Sequence, residues 1–96
     1  MTLYKLSLAA DRDFEQIFEY GIDQFGVEIA IKYQNALKQR FIELGEKPLA
    51  YPAIDDVRVG YRRSVCGVHS IYYQIKDSGV EIVRILGRQD AQAQLK

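Results

Sequence analysis

Tryptophan is absent, and the 96 residues include one cysteine, one methionine, one histidine and two prolines. The lone Cys66 can close no internal disulfide, which excludes the stapled frameworks of small secreted proteins. One histidine and one cysteine fall short of the convergent ligand set that a zinc site requires. No apolar run approaches the ~20 residues of a membrane span. The opening MTLYKLSL is too short and too polar for a secretory signal. No glycine-rich phosphate cradle of the P-loop or dinucleotide type occurs, nor any internal repeat or low-complexity stretch. These absences leave one domain spanning residues 1–96, in a reducing cytoplasm, away from membranes, and with neither metal nor cofactor.

What is present is an ordinary globular composition with an uneven charge distribution. Hydrophobic residues make up 48% and charged residues 27%, and the formal net charge is zero. Residues 1–57 hold 6 Lys/Arg against 10 Asp/Glu, whereas residues 58–96 hold 7 against 3. The basic half either meets an acidic partner or neutralises the acidic half within the fold.

The patterning predicts β-α-α-β-β-β. LYKLSL alternates as a short strand. Phe14, Ile17, Phe18, Gly21 and Phe25 then recur at helical spacing, with Asp11 and Asp13 in the first turn and Gly26 as the stop. Glycine at position 21 weakens the helix by about 1 kcal/mol, which a close approach of a second helix offsets. That helix is read over 27–45, with a stripe of Ala30, Tyr33, Leu37, Phe41 and Leu44. The short break at Gly26 makes the pair an antiparallel hairpin. Residues 46–59 contain Pro48 and Pro52 and form a long connection. YRRSV, VHSIYYQI and VEIVRIL follow as a three-stranded antiparallel meander, with KDSG as its last turn. The fold class is α+β, a small, mainly antiparallel sheet with the helical hairpin on one face.

Strict alternation in the last strand puts Val80, Ile82, Arg84 and Leu86 on one face and Val83 and Ile85 on the other. The helices cover one sheet face. The second is either an open surface for a partner, bearing Ile82, Leu86, Arg84 and tyrosines, or is covered by the 46–59 connection or the tail.

Catalytic signals are few. Cys66 and His69 lie three positions apart near a strand, which points their side chains to opposite faces. The Asp55–Asp56 pair reads as a solvated loop. Arg58, Arg62, Arg63, Arg84 and Arg88, interleaved with Tyr61, Tyr72 and Tyr73, suit either a nucleic acid or an acidic protein.

The chain resembles the ParE toxins of bacterial toxin–antitoxin pairs, in the RelE/ParE superfamily. The residues that carry the likeness are YKLSLAADRDFEQIFEYGIDQFG, LGEKPLAYP, VRVGYRRSVCGVHSIYYQI and VEIVRILGRQD. The resemblance implies the β-α-α-β-β-β fold and a non-enzymatic protein that inhibits DNA gyrase and blocks replication. It implies a ParD-like antitoxin whose disordered segment folds along the helices and sheet, and contact with operator DNA only through that antitoxin. On that basis the antitoxin contacts are expected at Phe14, Phe18, Arg58, Arg63, Tyr72, Ile82, Arg84 and Leu86. Gyrase inhibition is expected from Arg88, Gln89, Asp90 and Leu95, by analogy with where the superfamily carries its activity. The RelE branch, ribosome-dependent RNA endonucleases, implies catalytic groups near His69 or Ser70, Gln89 and Leu95, where this chain lacks the matching arginines and tyrosine. The alternatives to gyrase inhibition are that ribonuclease activity and a non-toxic antitoxin-binding module.

Overall fold

The computed structural model describes residues 3–87. The elements are β1 (Tyr4–Leu6), α1 (Leu8–Phe25), α2 (Val27–Glu46), a 3-10 turn (Pro48–Ala50), β2 (Arg62–Cys66), β3 (His69–Lys76) and β4 (Gly79–Leu86). The sheet order is β1-β4-β3-β2, with β1 parallel to β4 and the other pairs antiparallel. Among the described residues, no helix is long and apolar enough to cross a membrane.

Local chemistry sets the helix boundaries. Ser7 caps α1: its hydroxyl accepts from the Ala10 N–H at 3.0 Å and donates to the Val83 carbonyl at 2.8 Å. The cap thus also fixes the helix start to β4. Gly26, at φ +90°, ends α1 and lets α2 begin at the next residue. A Cβ on Gly21 would lie 3.3 Å from the Cβ of Ala30, so the two helices cross closely where the absence of a side chain allows it. Their common face closes over the sheet. Leu37, Phe41 and Leu44 meet Ile71, Tyr73, Ile82 and Ile85 in one core. Each large side chain buried there contributes roughly 1.5–3 kcal/mol. The buried Tyr73 hydroxyl is satisfied by donating to the Pro48 carbonyl at 2.7 Å.

The second sheet face is covered as well. The 46–59 connection folds back so that Ile54 packs on Tyr72 and Leu86, with Val57 and Tyr61 at the edge. Ala53 bridges to Arg62, the Ile54 N–H donates to the Tyr61 carbonyl, and Asp55 accepts from the Gly60 N–H. The open apolar sheet face allowed for in the sequence is therefore absent, because this connection occupies it.

A β-bulge in β4 accounts for a second correction. Tyr72 pairs with Arg84 and Tyr73 with Ile82, leaving Val83 as the extra residue. Alternation breaks there, so Ile82 and Ile85 both enter the helix-side core while Leu86 joins the cluster under Ile54. Sequence alternation had grouped Ile82 with Leu86, and the one-residue slip separates them.

Replacing Ile54 with alanine should lower stability by about 2 kcal/mol in urea unfolding. It should also accelerate amide exchange across residues 51–61 while β3 stays protected. Equal loss of protection in both segments would mean that the connection is not a separate cover.

Candidate partner-binding site

Two cavities adjoin where the helical hairpin meets the β2–β3 turn. The first is a groove of about 270 Å³ with almost wholly apolar walls, formed by Phe14, Phe18, Phe25, Ile29, Leu37 and Val68 among others. The second is a more polar cleft of about 650 Å³ that includes Asp13, Gln16, Tyr20, His69, Arg84 and Gly87. Ile17, Tyr20, Val68 and His69 line both and form the ridge between them.

The ridge is held by one phenol. The Tyr33 hydroxyl lies 2.6 Å from His69 Nδ1, 3.1 Å from the Cys66 carbonyl, and accepts from the Val68 N–H at 3.1 Å. Gly67 makes this clamp possible: at φ +61°, a Cβ there would come within 2.5 Å of the Tyr33 ring. Burial pushes the Tyr33 phenol above its ordinary range, so it stays protonated at neutral pH. Burial also lowers the His69 imidazole, an effect partly opposed by Asp13. At neutral pH His69 is therefore uncharged, with Nδ1 hydrogen-bonded to the Tyr33 hydroxyl.

Arg84 is held across the cleft by Asp13. Nε and Nη2 donate to the carboxylate at 2.7 and 3.1 Å, and the Ile85 N–H donates to it at 3.0 Å. Hydrogen bonding to Asp13 raises the Arg84 guanidinium above its ordinary value. Among the described residues, no group of three or more His, Cys, Asp or Glu converges as a metal site would require.

The expected contact residues thus fall into separate places. Phe14 and Phe18 are half-buried in the groove wall. Arg58 and Arg63 are exposed, Arg58 lying 5.6 Å over the Tyr61 ring. Tyr72 and Ile82 are 2% and 0% exposed, which removes them from any docking surface. Leu86, at 7%, lies under Ile54 and only borders the cleft. Arg84 is not a free cation on an open sheet but half of an ion pair with α1. Arg88, Gln89, Asp90 and Leu95 lie outside the described residues. Cys66 and His69 are cross-strand partners around a two-residue turn and so share a face, contrary to the sequence expectation. Even so, the thiol reaches the Ala36 carbonyl at 3.9 Å and the imidazole reaches Tyr33, so they do not form a thiol–imidazole pair.

Sequence reasoning missed Tyr33, Asp13, Val68 and Ile29 as site residues. Tyr33 was read only as part of an apolar stripe, although a tyrosine on a core stripe needs a partner for its hydroxyl. Asp13 was read only as a helix-dipole residue.

This fold, two helices over a four-stranded mixed sheet, is shared by solved structures. It matches the solved "Chromosomal ParDE TA system from P. aeruginosa" with a TM-score of 0.74, at 18% identity over 93% of this chain and 98% of that one. It also matches the toxin–antitoxin complex RelBE2 from Mycobacterium tuberculosis, with a TM-score of 0.64, at 19% identity over 91% of this chain and 98% of that one. In sequence, Toxin ParE1 of Caulobacter vibrioides is 34% identical over 86 residues, covering 90% of this chain and 88% of that protein. Toxin ParE1 of Mycobacterium tuberculosis is 32% identical over 84 residues, covering 86% of each chain. The family model for "ParE toxin of type II toxin-antitoxin system, parDE" matches residues 4–92. The chain belongs to the ParE toxin family.

His69 also gives a pH dependence with a defined sign. Its folded pKa is depressed, so the native state favours the neutral ring. That stability is fully present above the unfolded value near 6.5 and is lost as pH falls through the lower folded value. Urea midpoints should therefore decline as pH drops below about 6.5, and His69→Gln should flatten this part of the profile. An unchanged profile in the variant would assign the acid sensitivity elsewhere.

Proposed function

We propose that this toxin acts by inhibiting DNA gyrase, without catalysis of its own, and that a ParD-like antitoxin neutralises it by seating apolar side chains in the groove between the helical hairpin and the β2–β3 turn. Both activities are placed in the cytoplasm, with operator DNA reached only through the antitoxin. The observation that carries the antitoxin part is the groove itself: an apolar recess rimmed by exposed Phe25, Ile29 and Val68. A segment that folds on binding needs such anchors to offset its ordering entropy. The gyrase part is supported by family membership. The toxicity determinants remain assigned to Arg88, Gln89, Asp90 and Leu95.

The deciding experiment is a supercoiling and DNA-cleavage assay with purified toxin and purified gyrase. The expected result is loss of supercoiling with protein-linked broken DNA, reversed by the antitoxin. Unaffected gyrase together with cut messenger RNA on translating ribosomes would replace this reading with the ribonuclease one.

For the groove, Phe18→Asp should weaken antitoxin binding by about thirtyfold or more, as expected when a buried aromatic anchor worth ~2 kcal/mol is removed. Titration calorimetry measures this, with the thermal midpoint of the variant as the check on folding. Unchanged affinity in a folded variant would move the antitoxin off the groove.

A further inference from the structure

The polar cleft is lined by several hydrogen-bond donors. Both Asp13 oxygens are taken, one by Arg84 Nη2 and the other by Arg84 Nε and the Ile85 N–H. Arg84 retains Nη1 and a second N–H on Nη2. Gln16 and Tyr20 add an amide and a hydroxyl. His69 adds its second ring nitrogen: Nδ1 lies 2.6 Å from the Tyr33 hydroxyl, which leaves Nε2 to face other groups. Nε2 has no partner among the described residues, and no unpartnered side-chain nitrogen or oxygen is buried there. Since the groove walls are almost wholly apolar, Nε2 faces the cleft.

A donor-rich recess with an offset charge pair accepts an anionic oxygen group. The recess is continuous, along the Ile17–Tyr20–Val68–His69 ridge, with an apolar groove. That continuity selects a polypeptide that carries apolar side chains next to an acidic one, rather than a nucleic-acid backbone. We infer that the antitoxin segment filling the groove also places a carboxylate in the Arg84–His69 cleft, and that formation of the complex takes up a proton at His69. This rests on the proposed antitoxin reading and adds the chemistry of contact.

The proton balance is already provided for. A carboxylate beside Nε2 favours the imidazolium, which carries a proton on each ring nitrogen. Nδ1–H then donates to the Tyr33 hydroxyl oxygen, which still accepts from the Val68 N–H. The Tyr33 proton turns to the Cys66 carbonyl, 3.1 Å away. Among the described residues, the charged and titratable groups around the ring are Asp13 and Tyr20 on α1, Tyr33 on α2, Cys66 on β2 and Arg84 on β4. Asp13 and Arg84 offset each other, so the arriving carboxylate is the uncompensated charge.

The test is titration calorimetry of the full-length toxin with its full-length cognate antitoxin from about pH 6 to about pH 8, in buffers of different ionisation enthalpy. Wild type should take up a proton on binding and gain up to about tenfold in affinity toward the acid end, one unit of linked pKa. His69→Gln keeps an acceptor for Tyr33 and a donor for the cleft, and should bind with no proton uptake. On the partner side, neutralising the antitoxin's acidic residues one at a time should identify one that abolishes the uptake. Normal binding without proton uptake, or uptake that persists in His69→Gln, overturns the inference. It is equally overturned if inorganic phosphate binds the free toxin with the same His69 dependence while antitoxin binding stays proton-neutral. Failure of the antitoxin to bind at any pH would instead overturn the antitoxin reading.

Discussion

The Asp13 carboxylate is the fixed point of this structure. It accepts two bonds from Arg84 and one from the Ile85 N–H, tying the first turns of α1 to β4 just after the bulge. That bulge is what lets Ile82 and Ile85 both enter the core. A carboxylate satisfied by three donors in a partly dry setting is strongly directional, so α1 is held in orientation as well as in contact. The groove and the cleft both inherit their shape from this junction, because α1 contributes a wall to each. Ser7 reinforces it by bonding the Val83 carbonyl from the helix cap.

Both faces of the sheet are covered, by different means. The helical hairpin supplies a continuous apolar layer on one side, and a loop with a single large anchor, Ile54, covers the other. The apolar groove therefore lies between the hairpin and the β2–β3 turn, walled by phenylalanines on helices rather than by isoleucines on strands.

Element order and the hairpin were legible because helix periodicity, Gly26 and the strand alternation each identify an element unambiguously. The close helix crossing was also legible, through Gly21. The faces of β4 were not. A bulge is one extra residue in a strand whose composition, VEIVRIL, gives no turn or glycine signal, and it moves every later side chain to the opposite face. Burial of Tyr72 was hidden for a similar reason: a proline-bearing connection looks solvated until Ile54 is seen packed beneath it. The His69 hydrogen bond is to a phenol 36 residues away in sequence, so no local pattern could reveal it. The apolar helix face of Phe14 and Phe18, which lines the groove, is readable from spacing alone, whereas nothing local in the sequence shows that Arg84 pairs with Asp13 on α1.

The parallel pairing of β1 with β4 bears on how the chain folds. Tyr4 lies opposite Val80, so the first strand can be used only once the last strand is in place. Before that, the helical hairpin can form locally, but it has no completed sheet to pack on. The final closure joins segments separated by most of the sequence, a loop-entropy cost that comes before any reward from the contacts it enables. A polypeptide of this topology commits to its native form late and as a unit, and partial lengths of it lack both the junction at Asp13 and the cleft that depends on it.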